Sequence, residues 1–287
     1  MPLPNQPNVF SAMTAPIGVF DSGYGGLTIL KQIRRMMPEY DYLYLGDNAR
    51  APYGPRSYEV VYEFTLQAVH HLFDAGCPLV ILACNTASAK ALRSIQQRDL
   101  PFMDDPSRRV LGVIRPTVES VGDVTKTRHV GLFATPGTVR SLTYEIEIHK
   151  LFPDIKVTGV ACPMWVPLVE NEEFADPGAD YFVKKYVDEL LGLDPEIDTI
   201  ILGCTHYPLL LDKIRACCPE GVTLMSQGDY VANSLQDYLR RHPEMQSRLS
   251  CGSSLSMETT EQPDQFFSLA SLFLGESAGV DVKRITL

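Results

Sequence analysis

The stretch IILGCTHYPLL (200–210) decides how this chain is read. An apolar run ends in Gly203 and then delivers Cys204, Thr205 and His206 in succession. The residues that follow, PLLLDKIRACC, are compatible with a helix opening straight off a strand. A thiol and an imidazole at such a turn need something to face.

An internal repeat supplies it. PIGVFDSGYGG (16–26) resembles HVGLFATPGTV (129–139): an apolar strand, a small or hydroxyl residue, then a glycine-containing turn into a helix. LVILACNTAS (79–88) resembles TIILGCTHYP (199–208). Gly18 and Gly131 precede Cys84 and Cys204 by similar distances, and Cys84, Asn85 and Thr86 align with Cys204, Thr205 and His206. Two related units are therefore expected, each ending a strand with a cysteine at a helix N-terminus. Ligands of open parallel sheets collect at the carboxyl ends of the strands. Two such units face to face would place a thiol on either side of one cleft.

The wider pattern agrees. From residue 16 onward, β-like runs at 16–22, 40–47, 77–84, 109–114, 129–135, 155–162, 199–204 and 222–227 are interleaved with stretches of helical period, which predicts an α/β fold. Most of the runs are continuously apolar, as in a parallel sheet covered on both faces. RDLPFMDDPSRR (98–109) and the polar stretch 240–264 interrupt the rhythm and read as surface, before a last helix QFFSLASLFLG and a last strand VDVKRITL.

Composition excludes several function classes. The chain has 287 residues, 45% hydrophobic and 21% charged, with a formal net charge of -10. That acidity, without a basic cluster, argues against nucleic acid or an anionic membrane as partner. The apolar runs are too short to span a bilayer. The start, MPLPNQPNVFSAMTAP, has neither a basic n-region nor an apolar h-region and is expected to be a disordered lead. Seven scattered cysteines do not form a disulfide framework and fit a reduced cytoplasmic protein.

A thiol at a helix N-terminus has its thiolate favoured by the partial positive charge there. One thiolate and one thiol flanking a carbon make a base and an acid on opposite faces, and moving a proton through them inverts the stereocentre. Both states of cysteine lie close in free energy near neutral pH, so either residue can serve in either role. The neighbours suit an amino-acid substrate. Asp21 and Ser22 end the first strand, and Asp21 either orients a thiol proton, meets an ammonium group or simply caps its turn. The loop GDNARAPYGPRS (46–57) offers the phenol of Tyr53 and the N–H of Gly54 for a carboxylate, although Tyr53 equally suits packing on the sheet. Asn85, Thr86 and Thr205 add polar donors, and His206 stands two residues beyond Cys204 to exchange its proton. Cys204 and His206 alone are a weak zinc signal, and the glycines of SGYGG do not match a phosphate-loop spacing. Cys77, Cys162, Cys217, Cys218 and Cys251 lack the strand-end setting and read as structural or surface thiols, and Trp165 reads as packing.

Seven motifs in order, FDSGYGGLT, LGDNARAPYG, ILACNTASA, LGVIRPT, VGLFATPGTVRS, VPLVEN and LGCTHYPLL, closely resemble those of glutamate racemases in the aspartate/glutamate racemase superfamily. The resemblance implies two pseudo-symmetric lobes, each a mostly parallel sheet flanked by helices, with the active site in the cleft between them. It implies a first lobe of 1–113 with about 225–287, and a second of 114–224. It also implies cofactor-independent, metal-free racemisation, with Cys84 assisted by Asp21 acting on D-glutamate and Cys204 assisted by His206 acting on L-glutamate. Substrate contacts implied are Asp21, Ser22, Tyr53, Gly54, Asn85, Thr86, Thr205 and His206, with Glu170 an acid on the side of the second cysteine. A bacterial cytoplasmic enzyme feeding peptidoglycan synthesis, and a homodimer, follow from the same resemblance. Tyr24, Arg115, MSQGD (225–229) and the 98–109 insertion depart from the usual pattern. Aspartate racemisation, or a non-catalytic glutamate- or protein-binding module of the same fold, remain as alternatives.

Overall fold

The computed structural model describes residues 14–275 and 282–287. Its described strands are β1 (Ile17–Asp21), β2 (Tyr42–Gly46), β3 (Leu79–Leu82), β4 (Arg109–Gly112), β5 (His129–Ala134), β6 (Lys156–Ala161), β7 (Thr199–Gly203), β8 (Thr223–Met225), β9 (Leu255–Thr259) and β10 (Val282–Arg284). They form two sheets. One has the order β10-β9-β2-β1-β3-β4 and the other β6-β5-β7-β8. All pairings within them are parallel, and helices connect successive strands, so the predicted α/β class with two parallel sheets holds.

The repeat is visible in the register. Phe20 pairs with Leu82 between β1 and β3, and Phe133 pairs with Leu202 between β5 and β7. Cys84 and Cys204 each stand two residues beyond those partners, so the two thiols leave their sheets at equivalent points. The strands behind them, β1, β3 and β7, are buried along their whole length. That burial explains why they are apolar without alternation. Under β7, Trp165 is fully buried against the edges of Phe133, Tyr186 and Tyr207. Its role is packing, and each such large side chain contributes about 1.5–3 kcal/mol of hydrophobic stabilisation.

Helix starts follow the local chemistry. Ser57 accepts from Val60 N at 3.3 Å to begin the helix Tyr58–Asp74, with Glu59 in its first turn. The helix Leu27–Met36 buries Leu27, Ile29, Leu30 and Ile33 and places Arg34 and Arg35 in its last turn. It packs on the helix Gln227–Arg241, which also packs on the helix Ile114–Val124 and so bridges the elements of both sheets.

Three expectations are corrected. The stretch 240–264 is not all surface: β9 lies inside the first sheet between β2 and β10. Only Met257 and Thr259 of its five residues are buried, so LSMET reads as polar although its backbone completes two ladders. The stretch of helical period between β5 and β6 is not one helix but two, Pro136–Ser141 and Thr143–Leu151, broken at Leu142 with φ 54°. Ser141 and Thr143 stabilise the break, with Thr143 N donating to Ser141 Oγ at 3.2 Å. Finally, Cys204 does not open an α-helix. It is followed by a turn, a 3-10 segment Tyr207–Leu210 containing Pro208, and only then the helix Leu211–Cys217. The expected disordered lead falls almost wholly outside the described residues.

Candidate active site

The carboxyl ends of β1 and β3 carry Asp21, Ser22 and Cys84, and those of β5 and β7 carry Thr135, Cys204, Thr205 and His206. These two ends meet. Thr28 Oγ1 donates to Thr205 O at 3.0 Å, which ties the first glycine turn to the second cysteine loop. At Gly25 the approach is so close that a Cβ would collide with Thr205 Oγ1 and lie 2.5 Å from His206 Nδ1. Only glycine fits there. Cys84 and Cys204 are both buried, each 6% exposed.

Cys84 is the N-cap of the short helix Asn85–Lys90, and its Sγ accepts from Ala87 N at 3.5 Å. Its S–H donates to Ser22 Oγ, also at 3.5 Å. The helix end was expected to favour the thiolate. Burial, followed by the charge of Asp21, instead pushes this thiol up to about 12, against the pull of Ser22 and the Ala87 N–H. Cys84 is thus held as an acid. Asp21 is almost fully buried, and its Oδ2 accepts from Gly23 N at 2.9 Å, which is the turn-capping role. Its Oδ1 is buried without a partner among the described residues. Burial raises its carboxyl above the usual range, opposed by the charge of His206 and by the Gly23 and Gly26 N–H groups.

The other side is built differently. His206 Nδ1 lies 3.8 Å from Cys204 Sγ, and its Nε2 lies 2.9 Å from Glu170 Oε1. Burial disfavours charge on this ring, but the hydrogen bonds to Cys204 and Glu170 outweigh it and raise the imidazole to about 10. The ring is therefore an imidazolium at neutral pH, donating to sulfur on one side and to a carboxylate on the other. Phe273, from the helix Pro263–Leu274, meets the same ring edge-to-face at 5.3 Å. Where a helix N-terminus was expected beside Cys204, a histidine and an acid stand instead.

The remaining predicted residues divide. Thr86 Oγ1 lies 3.0 Å from Thr135 Oγ1 and 3.4 Å from Thr138 Oγ1, forming a buried hydroxyl cluster across the two sheets. Thr135 and Thr138 were not singled out from sequence. The internal repeat carried the signal, because Thr135 stands opposite Ser22 in the alignment. Gly54 rests on the Thr135 side chain, and its carbonyl is so near Gly137 that a Cβ there would come within 2.5 Å.

Two predicted side chains are engaged elsewhere. The Tyr53 phenol is buried and donates to Asp47 Oδ2 at 2.5 Å, with its ring on Phe20 and Phe64, so it is not free for a carboxylate. The side chain of Asn85 is locked in a ring of hydrogen bonds. Its Nδ2 donates to Gln227 Oε1 at 2.5 Å, Gln227 Nε2 donates to Tyr144 OH at 2.8 Å, and Tyr144 OH donates back to Asn85 Oδ1 at 2.7 Å. A separate cavity of about 630 Å³ opens between the helices on another side, lined by Ser88, Lys90, Arg93, Arg115 and Tyr238 among others but by neither cysteine.

Two thiols stand at register-matched strand ends, each beside its own charged partner. Residues 25–235 match the family model described as Asp/Glu/Hydantoin racemase. The chain belongs to that family. It is 42% identical over 268 residues to a glutamate racemase of Ruegeria sp. (strain TM1040), covering 90% of this chain and 96% of that protein. Among solved structures, it is similar to the glutamate racemase isoform RacE1 of Bacillus anthracis, with a TM-score of 0.85, 35% identity, and coverage of 95% of this chain and 98% of that one. It is also similar to the glutamate racemase of Francisella tularensis in complex with D-glutamate, with a TM-score of 0.83, 31% identity, and coverage of 96% and 98%. The resemblance stated from the seven motifs is borne out at the level of the racemase family.

Proposed function

We propose that this racemase interconverts L- and D-glutamate through Cys84 and Cys204, without a cofactor. The observation that supports the reading is the pairing of a protonated thiol at Cys84 with a Cys204 sulfur that accepts from an imidazolium. L-glutamate binds with its α-carbon between the two sulfurs. The Cys204 thiolate takes the α-proton, so a C–H bond breaks and an S–H bond forms. The carbon becomes planar, its electron pair delocalised into the carboxylate. Cys84 then gives its proton to the opposite face, so its S–H bond breaks and a C–H bond of inverted configuration forms. Cys84 is left as thiolate, ready to accept the proton of D-glutamate in the reverse direction.

Helpers are assigned by proximity. His206, oriented by Glu170, stabilises negative charge on Cys204. Ser22 and the buried carboxyl of Asp21 serve Cys84. The backbone N–H groups of Gly54, Asn85 and Thr205 and the hydroxyls of Thr86 and Thr135 hold the substrate's carboxylates. Glutamate as substrate rests on the likeness to proteins named glutamate racemase, one of them in complex with D-glutamate. On this reading the two sheets with their helices part as lobes to admit substrate, in a cytoplasmic enzyme supplying D-glutamate for peptidoglycan. No described helix is long and apolar enough to cross a membrane.

The test is incubation with L-glutamate, D-glutamate and L-aspartate in D₂O, following optical rotation and the α-proton signal. Loss of both signals for glutamate, abolished in Cys84→Ala and in Cys204→Ala, is expected. Full activity in either variant would refute the two-base assignment. Activity on aspartate alone would move the substrate, and tight glutamate binding without exchange would indicate a binding module.

A further inference from the structure

Asp47 follows β2, one strand away from Asp21, and its side chain is fully buried. A buried carboxylate needs partners, and Asp47 has three side-chain partners, two from its own loop and one from beyond Thr259. Its Oδ2 accepts from Tyr53 OH at 2.5 Å and from Arg50 Nε at 2.7 Å. Its Oδ1 accepts from Thr260 Oγ1 at 2.9 Å, and that hydroxyl also accepts from Ala49 N at 3.0 Å. Its own N–H donates to Asp21 O at 3.0 Å, beside the first half-site. Arg50 is held in turn by Gln67 at 2.6 Å and lies over the Phe64 ring at 4.1 Å. Arg50 O accepts from Arg56 Nη2 at 2.7 Å, which closes the loop on itself.

This loop ends in the Tyr53–Gly54 peptide that rests on Thr135 and Gly137 of the second half. We propose that Asp47 is a positioning residue for substrate capture, fixing the 47–57 loop through Tyr53 and Arg50 so that the Gly54 peptide is presented to the cleft. The inference rests on the function proposed above. It gives the Tyr53 phenol a different task from touching the substrate: it is the tether by which Asp47 holds the peptide next to it. Preorganised amides bind an anion without first being ordered, so a slack loop costs affinity before it costs chemistry.

Tyr53→Phe keeps the buried ring and the Asp47–Arg50 pair and removes only the phenolic hydrogen bond. The expected result is a KM for L-glutamate raised about tenfold, a smaller change in kcat, and faster amide hydrogen exchange confined to 47–57. Asp47→Ala removes the acceptor of all three partners, and the double variant is expected to have the KM of Asp47→Ala alone. A Tyr53→Phe variant with wild-type KM and wild-type exchange in the loop overturns the proposal, as do effects that multiply in the double variant. A merely structural role would lower thermal stability and raise exchange throughout the chain while leaving KM in place. If Asp47→Ala does not fold, Tyr53→Phe alone decides. Hydrogen exchange reads the loop without substrate. Wild-type protein silent on glutamate would therefore sink the proposed function, whereas an unperturbed loop in Tyr53→Phe would sink this inference.

Discussion

Replacing Glu170 by glutamine changes one contact, the 2.9 Å hydrogen bond to His206 Nε2, and removes one negative charge. A hydrogen bond between charged groups is worth about 1.5–3 kcal/mol when buried. The Glu170 side chain is 25% exposed and that of His206 6%, so solvent screening places this pair near the lower end, about 1.5–2 kcal/mol. If the imidazolium stabilises the thiolate of Cys204 in the transition state, kcat/KM falls about ten- to thirtyfold. The direction of the pH effect is fixed as well. His206 is raised from 6.5 to about 10, so its charge is present throughout neutral pH and is lost only as pH rises through about 10. Without Glu170 that loss moves to lower pH, and the basic limb of the rate profile moves with it. Initial rates from circular dichroism with L-glutamate, measured from pH 6 to 10.5, would report both effects. A profile superimposable on that of the wild type would refute the support of Cys204 by a Glu170-held imidazolium, whatever the overall rate.

Other outcomes follow from the same structure. Gly25→Ala would drive a methyl into Thr205 and His206 and is expected to cost at least about tenfold in activity, whereas Gly178→Ala, with nothing within 4 Å, should be silent. Equal activity of the two variants would mean that the closed arrangement of the halves is not the reactive one. Tyr144→Phe leaves Asn85 Oδ1 without its buried donor, while Gln227 Nε2 keeps Thr117 Oγ1 and Val113 O, and should lower stability in urea by about 1–3 kcal/mol. An unchanged midpoint and slope would show that water replaces the phenol. At pH 8 iodoacetamide should modify exposed Cys251 long before Cys84, which is buried and pushed up to about 12. Peptide mapping that finds Cys84 labelled first would contradict the protonation state assigned to it.

Much of the site was legible because it is repeated. Two apolar runs ending in cysteine, each preceded by a glycine-bearing strand, fixed the positions of both thiols, and the parallel sheets place them at matched register. The chemistry around each thiol was less legible, because sequence shows which residues are adjacent but not how deeply they are buried. Cys84 does cap a helix, yet desolvation overrides the helix end. Cys204 lacks a helix end altogether, because Pro208 helps turn the next residues into a 3-10 segment. Tyr53 and Asn85 were assigned to substrate by their motifs, and only three-dimensional contacts reveal that Asp47, Gln227 and Tyr144 already occupy their polar atoms. β9 escaped notice for the opposite reason. It has a strand's backbone but a loop's composition, since two neighbouring strands pair with it while only one of its faces meets the core.

The unequal dressing of the two thiols has a thermodynamic consequence. An amino acid and its mirror image have the same free energy in water, so the equilibrium constant between them is one. Any change that slows kcat/KM in one direction must therefore slow it equally in the other, even when it touches only the Ser22 side or only the His206 side. What the asymmetry can alter is the resting distribution of protons between the two sulfurs, and with it which enantiomer meets a ready catalyst. On the proposed mechanism, the free protein receives the L form with Cys204 as base and Cys84 as acid, and its protons must be reset after each D product leaves. At high substrate that resetting step, and not the chemistry at carbon, would set the pace.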